Sequence, residues 1–178
     1  IVLDDNVGEN FFALIIDQSY IGKIQTTKGP KCVTLATDLT AGTHEFELVK
    51  ATEEMFGKVA VKGIYVRGKL MPITNIRPKT IEFIGNSITC GYGNEGKLGE
   101  TFGPTTQNHY LTYAAITTRA FNANPIMVCR SGIGIYRNYN GPVTGNVECM
   151  PNFYDRIYLY DSMPKDRKST RLNSSHRI

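Results

Sequence analysis

The chain has 178 residues, of which 41% are hydrophobic, and this length allows one mid-sized domain or two small ones. Eight Phe, ten Tyr and no Trp indicate a β-rich globular protein rather than a disordered one. No apolar run is long enough to span a bilayer, so we expect no membrane partner.

The net charge of +4 would suggest a nucleic-acid partner, but most of it lies in residues 166–178. Four basic residues and one acidic residue there contribute +3 of the total. The segment resembles the translation of a common sequencing adapter, and the alternative is a genuine flexible basic tail. We therefore interpret residues 166–178 as a non-native tail that takes no part in the fold, and we expect no nucleic-acid partner.

Residues 1–71 consist of short strands separated by turns. Their apolar and alternating stretches predict strands at 11–17, 20–26, 31–39, 43–49 and 59–66. A turn at Asp17 and Gln18 joins the first two, and the spacing predicts an antiparallel sandwich. His44 alternates with Glu45 in one strand, which favours a structural or surface role. Residues 72–79 carry two prolines and no periodicity, as expected for an extended linker.

A short apolar run, residues 81–84, opens the second half of the chain. It predicts a strand of a parallel sheet covered on both faces, ending at Gly85, whose backbone freedom suits a sharp turn. Ser87 then lies at the carboxyl end of the strand, where open α/β sheets bind ligands. Ser87 is either an ordinary helix N-cap or a nucleophile whose own N–H can stabilise an oxyanion.

A helix and a second strand follow. Asn108 is the expected N-cap of a helix over 108–121, and His109 in its first turn is assigned a surface role. Residues 125–130 predict a second buried strand, which completes a β-α-β unit. If the two strands are neighbours, the Ser87 turn and the turn at 132–134 emerge side by side. The glycine-rich loop 91–107 lacks the spacing of a nucleotide-binding motif.

The second turn offers further candidates. A glycine N–H aimed at the Ser87 hydroxyl would be a second oxyanion donor, although glycine-rich turns end many strands. The side chains of Tyr136, Asn138 and Tyr139 follow, and they are suited to stacking on a sugar and hydrogen bonding to it.

The four cysteines show no zinc-type spacing, and no metal site is predicted. Cys90 and Cys129 each lie near the end of a predicted strand. A disulfide between them is left open.

Two segments resemble one known family. Residues 85–96, G-N-S-I-T-C-G-Y-G-N-E-G, resemble the first block of the SGNH (GDSL-like) hydrolases, and in this longer form that of carbohydrate esterase family 2. Residues 131–141, S-G-I-G-I-Y-R-N-Y-N-G, resemble the second block. The resemblance implies Ser87 as nucleophile and Gly134 as oxyanion donor, with Gly132 as the fallback. Asn86 replaces the usual Asp, and we expect it to shape the loop.

The resemblance also implies the architecture: a β-sandwich of jelly-roll type in residues 1–71, and an incomplete α/β SGNH-hydrolase domain with a parallel sheet in 80–165. The implied function is a serine esterase, secreted or otherwise extracytoplasmic, that removes acetyl groups from xylan- or mannan-type polysaccharides without a cofactor.

The family's oxyanion asparagine and its catalytic histidine have no counterpart before residue 166. We therefore expect the chain as given to be inactive. The alternative is a non-catalytic carbohydrate-binding protein with a degenerate hydrolase half.

Overall fold

The structure, a computed structural model, describes residues 1–73 and 76–161. These residues form two compact units, which divide between residues 76 and 77. Part of the expected linker and the whole of the expected non-native tail, 166–178, lie outside the described residues. None of the helices in the described part of the chain has the length and apolar character needed to cross a membrane.

The first unit contains two antiparallel three-stranded sheets and a short 3-10 turn at Glu54–Phe56. Its strands are β1 Val2–Asp5, β2 Phe11–Ile16, β3 Ser19–Gln25, β4 Gly29–Cys32, β5 Phe46–Lys50 and β6 Val59–Gly63. The strand orders are β4-β1-β6 and β3-β2-β5. One hydrophobic cluster takes Leu3 from the first sheet and Phe12 from the second, so side chains of both sheets share a core.

The predicted turn at Asp17 and Gln18 is confirmed. Both residues have positive φ, 50° and 66°, and the turn joins a hairpin in which Ile16 pairs with Ser19. Two-residue hairpin loops favour this backbone because its twist matches that of the strands. His44 reaches the same turn, since its Nδ1 lies 2.7 Å from Asp17 Oδ2. The Asp17 carboxylate raises the pKa of His44, and the role of His44 is structural, as expected.

Three predicted strands are longer than those observed. Regular pairing ends at Cys32 rather than 39, begins at Phe46 rather than 43, and ends at Gly63 rather than 66. Beyond Cys32 only Val33 continues the pairing, since its N–H donates to Ile1 O at 2.8 Å and its carbonyl oxygen accepts from the Ile1 amino group at 2.9 Å. The alternation has another cause, because Val33 and Leu35 both pack against the hydrophobic cluster.

A buried carboxylate holds together the start of the first unit. Asp5 is 0% exposed and accepts hydrogen bonds from Val7 N at 2.9 Å, from Asn10 Nδ2 at 3.0 Å and from the Thr26 hydroxyl. Burial, the largest single influence, raises the pKa of Asp5, but the donors, with the Gly8 N–H among them, together lower it to about 2. Nothing in the sequence pattern predicts this network.

In the second unit, β7 Lys79–Gly85 and β8 Ala123–Cys129 are parallel neighbours, with α2 Tyr113–Ala120 between them in the chain. The predicted β-α-β order is therefore confirmed. The remaining helices are α1 Ser87–Cys90 and α3 Met150–Phe153, with 3-10 turns at Pro104–Thr106 and His109–Leu111. A hydrophobic cluster covers one side of β8 and joins it to α3, with Ile126, Val128, Ile133, Met150, Phe153 and Leu159.

Two expectations about this unit are wrong. The strand β7 is not covered on both faces, because Ile84 is 53% exposed and the sheet has only two strands within the described residues. The helix begins later than Asn108, which caps only the 3-10 turn by accepting from Tyr110 N at 3.1 Å. Thr112 caps α2 by accepting from Ala115 N at 3.2 Å. Two capping residues in succession divide the predicted helix in two.

Candidate active site

Ser87 is the first residue of α1, immediately after β7. Asn86 is the N-cap, and its Oδ1 accepts from Ile88 N at 3.1 Å. The interpretation of Ser87 as an ordinary N-cap is therefore wrong, and Asn86 shapes the turn as expected. Ser87 is half-buried, and within the described residues its hydroxyl makes no hydrogen bond. Its N–H lies in the first turn of a helix, where backbone donors have no partner within the helix.

Gly85 is required for a different reason from the one expected. Its φ is not positive, so no special backbone angle calls for glycine. Instead, a Cβ at this position would collide with the Thr89 hydroxyl and lie 2.8 Å from Thr89 Cβ. The Thr89 side chain is buried directly against the backbone of Gly85, and this contact sets the angle at which α1 leaves the strand.

The carboxyl end of α1 is held by three side chains. Thr89 Oγ1 and Tyr113 OH share a hydrogen bond of 2.9 Å, and His109 Nδ1 lies 3.2 Å from Thr89 O. Gln107, which is fully buried, donates from Nε2 to Cys90 O at 3.1 Å. Because α1 is a single turn, these bonds also fix the orientation of Ser87 at its other end.

His109 is half-buried, and its ring reaches Thr89 O, so its role differs from the free surface role that was predicted. Burial lowers its pKa to about 4; the hydrogen bond to the Thr89 carbonyl opposes this effect, and the charge of Arg119 adds to it. The imidazole is therefore neutral at pH 7, and Nδ1 can donate to Thr89 O when it carries the proton. Its role is to hold α1.

The second turn emerges beside the first. The ladder between β7 and β8 ends with Gly85 opposite Cys129, and Arg130 N continues it by donating to Gly85 O at 3.3 Å. Ser87 follows one of these strands and Gly132 follows the other, so both residues lie at the same edge of the sheet. The predicted juxtaposition of the two turns is confirmed.

The geometry favours the fallback glycine over the first choice. The Gly134 N–H already donates to Asn138 Oδ1 at 2.9 Å, so it is not available to an oxyanion in this arrangement. Gly132 has φ of 78°, and its N–H makes no hydrogen bond within the described residues. A cavity of about 200 Å³ opens against Gly132. It is lined by Arg130, Ser131, Gly132, Ile133, Asn138, Glu148 and Phe153.

The three predicted sugar-binding residues differ in their surroundings. Tyr139 is 82% exposed, and its N–H donates to Gly132 O at 2.8 Å, which places it beside the turn. Tyr136 is 66% exposed, but its hydroxyl donates to Thr144 O at 2.7 Å. The Asn138 side chain is used within the loop, since Nδ2 donates to Glu148 O at 2.6 Å. Only the two rings are therefore open to a ligand.

The residues behind the Ser87 turn could not be found from the sequence pattern. Thr89 stands two positions after Ser87, which marks it as a neighbour, but nothing in the pattern shows that Tyr113 reaches Thr89 or that Gln107 reaches Cys90 O. Cys90 and Cys129, whose pairing was left open, are both free thiols. No group of three His, Cys, Asp or Glu side chains among the described residues could hold a metal ion.

Comparison with known proteins gives consistent matches. Residues 1–73 match the family described as Carbohydrate esterase 2 N-terminal. The chain is 41% identical over 136 residues to Cellulase/esterase CelE of Acetivibrio thermocellus, covering 75% of this chain and 17% of that protein. It is 33% identical over 137 residues to an Acetylxylan esterase / glucomannan deacetylase of Cellvibrio japonicus, covering 75% of this chain and 38% of that protein.

Solved structures agree with these matches. A family two carbohydrate esterase from Clostridium thermocellum in complex with cellohexaose superposes with a TM-score of 0.84 at 34% identity, over 94% of this chain and 51% of that one. An acetyl xylan esterase (Est2A) from the rumen bacterium Butyrivibrio proteoclasticus shares the fold with a TM-score of 0.78 at 23% identity, over 99% of this chain and 48% of that one. The chain thus spans about half the length of the solved structures that it matches.

Proposed function

We propose that this chain, which belongs to carbohydrate esterase family 2, carries the nucleophile of a serine esterase that deacetylates xylan- or mannan-type polysaccharides. The observation that carries the proposal is Ser87 itself. Its hydroxyl has no hydrogen bond within the described residues, and it lies at the carboxyl edge of a parallel sheet in a helical turn held rigidly from behind. The names of the relatives, an acetylxylan esterase / glucomannan deacetylase among them, support the acetyl substrate.

The proposed reaction is acyl transfer through the serine. Ser87 Oγ attacks the acetyl carbonyl carbon, and the sugar hydroxyl leaves with a proton as the acetyl group is transferred to Ser87. Water then releases acetate and restores the serine. The N–H groups of Ser87 and Gly132 would donate to the oxyanion, each worth about 3 kcal/mol of barrier. The proton would be carried by a histidine outside the described residues, and no metal or organic cofactor takes part.

The glycan would lie across the exposed rings beside this turn. Tyr139 is the better placed of the two, because its backbone is bonded to Gly132 and its ring is almost fully exposed. Tyr136 offers one ring face only, since the other lies against Gly145. The cellohexaose bound by a solved relative supports a β-linked chain as the ligand.

The domain organisation remains part of the proposal. We propose a jelly-roll domain over 1–71, a linker over 72–79, part of an SGNH-type hydrolase domain over 80–165 and a non-native tail over 166–178. A polysaccharide substrate requires the enzyme to act outside the cytoplasm, so we propose an extracytoplasmic location.

The test is acetate release from acetylated xylan by the complete protein that contains these residues. Ser87→Ala should abolish release while leaving the thermal melting temperature within a few degrees. Ser19→Ala, which removes an exposed serine from the first unit, is the matched control and should keep full activity. Unchanged release by Ser87→Ala would refute the proposal. We expect the 178-residue chain alone to release no acetate.

A second function is open to the same surface. The exposed ring of Tyr139 would suit a protein that binds glycans without cleaving them. Both functions predict binding of cellohexaose in calorimetry, so acetate release separates them: a binding protein would take up the glycan and show no Ser87-dependent release of acetate.

A further inference from the structure

The loop over residues 132–148, which carries the proposed oxyanion glycine, is closed by the side chain of Asn138. Asn138 Oδ1 accepts from Gly134 N at 2.9 Å, and Asn138 Nδ2 donates to Glu148 O at 2.6 Å. The backbone N–H of Asn138 donates to Asn146 Oδ1 at 2.9 Å. The beginning, the middle and the end of the loop are therefore joined at Asn138.

Gly132 depends on these bonds because it has no side chain to restrict its backbone. Its carbonyl oxygen accepts from Tyr139 N at 2.8 Å, next in sequence to Asn138. Gly134, two residues on, is held by the Asn138 side chain and has no room for a Cβ, which would collide with Arg137 O. The two peptide planes after Gly132 are thus both fixed by the Asn138–Tyr139 segment. The Gly132 N–H belongs to the plane before them, inside a turn that Ile133 N closes by donating to Arg130 O at 3.3 Å. Fixing the later planes therefore holds this turn from its far side and, with it, the direction of the Gly132 N–H.

We infer that Asn138 is a positioning residue, which aims the Gly132 N–H at the oxyanion and does not contact the substrate. The inference rests on the proposed function, since it takes the Gly132 N–H as an oxyanion donor. A donor contributes to catalysis only when it is oriented before the charge develops. Loosening the loop should therefore lower kcat and leave KM almost unchanged.

The experiment compares two amide-to-carboxylate changes two residues apart in the complete protein. Asn138→Asp keeps the size of the side chain but cannot donate to Glu148 O, and it places a negative charge against that carbonyl. Asn140→Asp is the matched control, because Asn140 is exposed with φ of 57°, a backbone conformation that Asp also tolerates. We expect kcat on acetylated xylan to fall at least tenfold in Asn138→Asp, while KM stays within about twofold. This loss is smaller than the fall in kcat of about 10²–10³ expected when an oxyanion donor is removed outright, because a misdirected donor is still present. Asn140→Asp should match the unmodified protein.

A rise in KM at constant kcat would show that Asn138 contacts the substrate, and unchanged kinetics would show that it positions nothing. Either result overturns the inference.

A second readout does not depend on catalysis. Amide hydrogen exchange at Gly134 should be slow in the unmodified protein and at least tenfold faster in Asn138→Ala, while the amides of β8 keep their protection. If Gly134 stays equally protected, the inference is wrong. If Ser87→Ala leaves activity unchanged while Gly134 loses protection as expected, the proposed function fails and the structural part of the inference stands.

Discussion

Replacing Gly85 by alanine should distort the turn that carries Ser87. The added Cβ would collide with the Thr89 hydroxyl and lie 2.8 Å from Thr89 Cβ, where ordinary contacts begin at 3.4 Å. Thr89 is 2% exposed and cannot rotate away without breaking its 2.9 Å hydrogen bond to Tyr113. The turn that carries Ser87 must therefore shift.

The cost follows from these contacts. Overpacking a buried site typically costs 1–3 kcal/mol, and loss of the Thr89–Tyr113 bond would add about 1 kcal/mol. Replacing glycine by alanine also stabilises the folded protein by about 0.5 kcal/mol, because it lowers the conformational entropy of the unfolded chain. We expect Gly85→Ala to lower the free energy of unfolding by about 1.5–3.5 kcal/mol, and to lower kcat more than this loss of folded protein explains.

Urea unfolding of the complete protein measures the effect, with acetate release assayed where the variant is folded. Thr89→Ala is the matched partner, because it removes the hydroxyl but leaves the Cβ contact. In the double-mutant cycle the two changes should couple by about 1 kcal/mol or more, with partial recovery of stability. A Gly85→Ala protein as stable as the unmodified one, or strictly additive changes, would refute the reasoning.

Three further predictions concern pH and binding. The pKa of Asp5, about 2, lies below its ordinary 3.8, so its stabilisation is complete above pH 3.8 and lost as the pH falls to 2. Acid titration should show the free energy of unfolding of the first unit falling by about 2 kcal/mol, and Asp5→Asn should not show this fall. The pKa of His109 is also lowered, from 6.5 to about 4, so the unfolded chain takes up a proton first as the pH falls. The free energy of unfolding should therefore decline as the pH falls from 6.5 to 4, and His109→Gln should not show this decline. Tyr139→Ala should weaken cellohexaose binding by about 1–2 kcal/mol in calorimetry, whereas Tyr139→Phe should keep most of it.

The sequence was sufficient for the framework of the candidate site. The apolar run before Gly85 and the second run before Arg130 predict two strands, and the helix between them makes parallel pairing the simplest solution. Parallel pairing then brings the carboxyl ends of both strands to one edge, which is why the sequence alone predicts that the Ser87 and Gly132 turns lie together.

The contacts that decide function could not be predicted in the same way. The resemblance pointed first to Gly134, and the preference for Gly132 follows from contacts that the sequence does not show: the Gly134 N–H donates to Asn138, whereas Gly132 has φ of 78° and an N–H that makes no hydrogen bond within the described residues. Thr89 and Tyr113 are far apart in the chain, so the clamp on α1 exists only after the fold has formed. Long-range polar contacts of this kind leave no periodic signal, because each depends on a single pair of side chains.

Covalent trapping of the nucleophile tests the central claim most directly. An alkyl fluorophosphonate reacts with an activated serine hydroxyl and leaves a stable phosphonyl ester, which peptide mass spectrometry can locate. The complete protein should be labelled at Ser87 alone, with loss of acetate release in proportion to labelling. A fully active protein that stays unlabelled at Ser87, or that is inactivated by labelling elsewhere, would contradict the account.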